Sequence, residues 1–106
     1  LIWASEKWVK ANPRLVRAFV EALREATDFI NDKPAEAARL YVTSEKARST
    51  PEQILEIMKQ PGLRYSMTPT GLMKFSAFMQ KIGMTKTVPA SWRDYAFEHL
   101  HGLPGN

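Results

Sequence analysis

Apolar side chains recur at helical intervals along most of this chain, and the longest such run organises the rest. After Asn12-Pro13, the residues Val16, Phe19, Leu23, Ala26 and Ile30 follow at steps of three, four, three and four, with Leu15, Ala22 and Phe29 beside them. That period predicts an amphipathic helix over 13–30, with Asn12 as its N-cap and Pro13 in its first turn, where a missing N–H costs nothing. Arg14, Arg17, Glu21, Arg24, Glu25 and Asp28 fill the opposite side. There Arg17 with Glu21 and Arg24 with Asp28 stand four apart and are expected to pair.

The same signals recur on either side. Leu1 to Ala4 is bulky and apolar and suits the end of a buried strand or a helical lead-in; Ser5 then caps a short helix over 6–11, with Trp8 and Val9 inward. Trp3 and Trp8 read as core residues, because apolar neighbours surround both. Asn31-Asp32-Lys33-Pro34 breaks the long helix and restarts a second over 34–42, burying Ala37, Ala38, Tyr41 and Val42. After a polar loop at 43–49, Thr50-Pro51-Glu52-Gln53 has the capping-box arrangement and opens a helix carrying Ile54, Leu55, Ile57 and Met58, which Pro61-Gly62 ends. Leu63 to Met67 alternates weakly and suits an extended segment. Thr68-Pro69 repeats the cap-then-proline signal for a helix to about 82, striped by Leu72, Phe75, Met79 and Ile82, with Gly83 as its left-handed C-cap. Ser91-Trp92-Arg93-Asp94 caps a last helix over 92–101 with Trp92, Tyr95, Ala96 and His99 facing in.

Composition narrows the function classes. At 106 residues the chain holds one domain at most, and its 44% apolar and 25% charged residues are ordinary for a folded protein. The net charge of +4 arises from 15 Lys and Arg scattered among 11 acids, which describes a mildly basic solvated surface better than a nucleic-acid footprint. Without cysteine there is no disulfide, no Cys-based metal site and no Cys nucleophile. No phosphate loop, dinucleotide fingerprint, nucleophile elbow or zinc-protease motif occurs. His99 and His101 lie about 200° apart around a helix and do not converge on a metal; one is read as half-buried or capping and the other as exposed. Glu21 with Glu25 and Glu52 with Glu56 sit on solvent faces, unsuited to acid–base work. No catalytic residue, metal ligand or cofactor site is assigned, and the chain is not expected to be an enzyme.

The segment Phe78-Met79-Gln80-Lys81-Ile82-Gly83, then Lys86-Thr87-Val88-Pro89, Ser91-Trp92-Arg93-Asp94 and His101-Gly102-Leu103-Pro104-Gly105, resembles the C-terminal signature of ABC-transporter periplasmic solute-binding proteins of the nitrate/sulfonate/taurine (NMT1-like) class. The front half is similar to the same family: Ala4-Ser5-Glu6, Asn12-Pro13-Arg14-Leu15-Val16-Arg17-Ala18-Phe19 and Pro34-Ala35-Glu36-Ala37-Ala38 stand in its order. Lys33 replaces a frequent capping Asn, and 44–49 departs from the usual Thr-Gly turn, which touches loop detail.

The resemblance implies a mainly α chain of about six helices with at most one short N-terminal strand. It implies a single helical C-terminal fragment, residues 1–106, of a two-lobed α/β (type II) periplasmic-binding-protein fold. It further implies a periplasmic or lipid-anchored protein whose lobes close on a small anion or polar solute and present it to an ABC-transporter permease. The matched motifs contact no solute in that family, so no ligand-binding residue is carried over. The fragment alone is expected to bind no solute, to need no cofactor, and to self-associate through apolar surface left uncovered. The opening Leu1-Ile2-Trp3-Ala4, which lacks an initiator Met and a signal-peptide pattern, fits a piece of a longer protein. The alternative is a free-standing basic helical module that binds nucleic acid with steeply salt-dependent affinity.

Overall fold

The computed structural model describes residues 2–106. Five α-helices follow in order: α1 (Glu6–Ala11), α2 (Pro13–Asp32), α3 (Pro34–Glu45), α4 (Pro51–Met58) and α5 (Leu72–Lys81). Two 3-10 turns, Trp92–Tyr95 and Glu98–Leu100, come after them, and there is no β-strand among the described residues. The chain is thus mainly helical, and it divides into two compact units, Leu1–Met67 and Thr68–Asn106.

In the first unit Ser5 accepts from the Trp8 N–H and starts α1, while Glu6 and Lys10 bridge at 3.1 Å across one turn. Asn12 does not cap α2 as expected. Its amide instead donates to the Trp8 carbonyl at 2.8 Å, closing the end of α1, and Pro13 alone sets the direction of α2. The helix then runs two residues past the expected end, to Asp32, and Pro34 opens α3 directly. α3 packs chiefly on α4 and also on α2, with Ala37 and Ala38 buried. It extends into the expected loop as far as Glu45, where Lys46 adopts a left-handed conformation (φ 50°) and ends it. Thr50 and Gln53 form the expected capping box: Thr50 Oγ1 accepts from the Gln53 N–H and Gln53 Oε1 accepts from the Thr50 N–H at 2.9 Å.

On α2 the expected Val16, Leu23, Phe29 and Ile30 are half-buried, but Val20 and Thr27 take the inward places expected of Phe19 and Ala26, which are exposed. Thr27 donates to the Leu23 carbonyl at 2.8 Å and lies 3.8 Å from the Met67 sulfur, so a threonine supplies part of the inner seam. The expected Arg17–Glu21 and Arg24–Asp28 pairs are not among the ion pairs of the described residues. Such exposed pairs gain little against the entropy of two long side chains.

In the second unit α5 begins at Leu72, three residues later than the Thr68-Pro69 signal suggested. The C-terminus explains the delay: Asn106 N–H donates to the Pro69 carbonyl at 3.1 Å, Leu72 N–H donates to the Asn106 carbonyl at 2.9 Å, and Gly71 N–H donates to Asn106 Oδ1 at 2.6 Å. Gly71, at φ 77°, makes the bend that this tie requires. Gly83 is left-handed at φ 78°, as its C-cap position required. The last helix is not found, and among the described residues the N-terminal stretch forms no strand, as the expectation of at most one allowed. Ser91 and Asp94 do form a capping box, but Ala96 and Phe97 are extended and only two 3-10 turns result. Trp92 is buried there, and an α-helix over 92–101 would carry the tail away from it. Ile2 to Ala4 has no regular structure, and Trp3, expected in the core, is 87% exposed; Trp8 is exposed as well.

Candidate functional site

Where the end of α2, the start of α3 and the end of α4 meet the loop 59–67, the first unit has an open groove of about 450 Å³. Its placement follows from local sequence. Pro61-Gly62 stops α4, and Gly62 at φ 90° turns the chain back. The Asn31 amide then donates to the Tyr65 carbonyl at 3.1 Å and fixes the loop against α2. Ile30, Pro34, Met58 and Leu63 make an apolar floor, with Asn31, Tyr65 and Ser66 as polar lining and Lys59 and Arg64 as the charged groups.

No acidic side chain lines this groove, so its field favours an anion. Lys59 is partly neutralised by Glu56 at 3.5 Å, a pair exposed enough to be weak. Arg64 is exposed. The groove therefore offers one wall with two cations, an amide and an apolar floor. Enclosed ligand sites bury most of their ligand's surface, which a groove this open to solvent does not. Sequence reasoning assigned no residue here, and only the two cations flanking Pro61-Gly62 hinted at it.

The C-terminal motif residues have structural work. Trp92 meets His101 edge-on at 6.0 Å between ring centroids, and the Arg93 guanidinium lies 5.1 Å from the Trp92 ring. His101 Nε2 faces the carbonyls of Arg93 at 3.0 Å and Ala96 at 2.9 Å, so it carries the proton and donates, while Arg93 donates back to the His101 carbonyl. His99, expected to face in, is exposed and stacks on Phe97; His101 is the half-buried histidine. Ser76, buried, shares a hydrogen bond with the Tyr95 hydroxyl, a pairing that no spacing rule announced. Among the described residues no group of three or more His, Asp or Glu is placed to hold a metal ion.

The family model described as NMT1/THI5 like matches residues 1–37. The match takes in α1, α2 and the first turn of α3, ending at the buried Ala37, and covers 37 of the 106 residues. The similarity to this solute-binding family thus rests on the front of the chain, while the groove residues beyond Pro34 and the whole second unit lie outside it. No curated protein and no solved structure matches the chain.

Proposed function

We propose that the chain is the C-terminal part of an extracytoplasmic solute-binding protein of the nitrate/sulfonate/taurine class, periplasmic or lipid-anchored, serving an ABC-transporter permease. The observation that carries this is the NMT1/THI5-like match over residues 1–37. Surface area supports the notion of a part. Monomeric globular proteins of 12.1 kDa expose about 6,000 Å², and even two separate globules of these unit sizes would expose only about 7,200 Å². This chain exposes 8837 Å². Phe75, Phe78 and Ile82, one exposed apolar row on α5, fit a chain that packs on more protein in its working form.

In this reading the solute is held between two lobes, and the chain supplies helices that support one of them. The open groove, with Lys59 and Arg64, offers at most one wall, so the chain by itself does not retain a small anion. Nothing in the fold or the family match favours the nucleic-acid alternative. Two measurements test the proposal. The reading frame upstream of Leu1 should encode an α/β-patterned segment behind a secretory signal; a frame opening close to Leu1 would sink the idea. The chain alone should show no thermal shift with nitrate or taurine while the whole protein shifts with its solute, and a competable shift of the chain alone would show that it binds unaided.

A further inference from the structure

α2 carries two apolar seams. Val16, Val20, Leu23, Thr27 and Ile30 are half-buried within the first unit. Leu15, Phe19, Ala22 and Ala26, spaced by four, three and four, form a second row about 100° away and remain exposed, Leu15 by 59% and Phe19 by 50%. One edge of that second row carries Arg14 and, eleven residues or about three turns on, Glu25. Both are exposed, and neither belongs to an ion pair among the described residues.

We infer that this second seam of α2 is the site where a second copy of the chain docks, with the two α2 helices antiparallel. Size and charge along the seam are each graded from one end to the other. Within the exposed part of the row Leu15 and Phe19 come first and Ala22 and Ala26 follow, before the half-buried Phe29 closes it. Antiparallel pairing sets Leu15 against Ala26 of the partner subunit and Phe19 against Ala22 of the partner subunit, large against small, so the ridges interlock. It also brings like edges together, so Arg14 meets Glu25 of the partner subunit, and the two-fold axis repeats the pair. Parallel pairing instead sets Phe19 on its own copy, leaves the alanines facing across a void, and turns the Arg14 and Glu25 edges of the two copies to opposite sides, where they do not meet. Both the large-to-small order and the Arg14-to-Glu25 order lie within one helix, so a second copy, reversed, supplies the complement to each. A 20-residue helix is about 30 Å long, and one helix pair buries less than the ~1,200 Å² of a stable interface. The dimer is therefore weak and concentration-dependent. It does not depend on the solute-binding reading.

Sedimentation of the chain from micromolar to near-millimolar concentration tests this. The average mass should rise from 12.1 kDa toward twice that value. Arg14→Glu or Glu25→Arg alone should weaken association about three- to tenfold, and the two together should restore it, because only an antiparallel pair exchanges these partners. Phe19→Glu should abolish it. Helicity measured on the charge variants, whose positions are exposed, shows that the fold persists. The chain has no cysteine, so oxidising a mixture of Leu15→Cys and Ala26→Cys chains should favour the mixed disulfide over either self-linked one. A chain that stays monomeric, as it would if the seam docks other protein, overturns the inference. So does association that ignores Phe19→Glu, or a double charge variant that fails to recover.

Discussion

Gly105 shows how a single residue fixes the second unit. A Cβ built on it would lie 2.7 Å from Trp92 Cδ2 and Cε2, inside any tolerable contact. Gly105→Ala should therefore push the tail off the indole and cost about 1–3 kcal/mol. Near-UV circular dichroism and acrylamide quenching report it: Trp92 is buried while Trp3 and Trp8 are exposed, so loss of the protected indole fraction is the expected signal. An unchanged protected fraction would mean the tail does not seat there. Glu52 gives a second test at this scale. Its own backbone N–H, then the Thr50 hydroxyl, hold its carboxyl below the usual range, with the Arg39 charge adding a little against slight desolvation. A depressed folded pKa means that the contribution to stability is present above the unfolded pKa and is lost as pH falls through the folded one. Carbon-detected NMR titration should find Glu52 titrating below the ordinary glutamate range, and less so in Thr50→Ala. A Glu52 curve in the ordinary range would remove the backbone and Thr50 bonds from the account.

The helices themselves were largely legible from residue order, because their ends are written in local chemistry. Ser5, the Thr50–Gln53 box, Pro34 and Gly83 all act where spacing placed them. What spacing cannot say is which part of a broad apolar arc a neighbour will cover. On α2 the arc from Leu15 to Ile30 holds two rows, and tertiary contact selected the one containing Val20 and Thr27. The ends that moved were those where distant residues intervene: Asn106 ties down Pro69 to Gly71 ahead of α5, and Gly105 lies against Trp92 in its 3-10 turn. The groove was invisible for the same reason, since Asn31 and Tyr65 meet across 34 residues of sequence. The box on α4 gives this scale its prediction. Thr50→Ala removes the acceptor for the Gln53 N–H and should cost about 1 kcal/mol in urea unfolding at neutral pH, whereas Thr50→Ser should retain most of it. Equal losses would point to packing of the threonine methyl instead of the cap.

Burial sets the behaviour of the whole chain. The buried apolar residues are Ala37, Ala38 and Trp92, and no large side chain is completely enclosed among the described residues. Hydrophobic stabilisation scales with apolar area removed from water, and the urea m-value scales with the area that unfolding exposes. A chain already showing 8837 Å², against about 7,200 Å² for two separate globules of its unit sizes, has less left to expose. Urea unfolding followed by circular dichroism at low micromolar concentration, where copies are apart, should give an m-value below about 1 kcal/mol per M, under the usual range for small proteins. The same sample should bind an apolar dye such as ANS in buffer alone, because Phe75, Phe78 and Ile82 stand in one exposed row on α5. Raising the concentration should reduce dye binding per chain only to the extent that Leu15 and Phe19 become covered, so Phe19→Glu should remove that dependence while α5 keeps binding dye. A steep, dye-silent transition would mean that the two units bury far more in solution than these contacts provide, and would withdraw the argument that the chain works as part of a larger assembly.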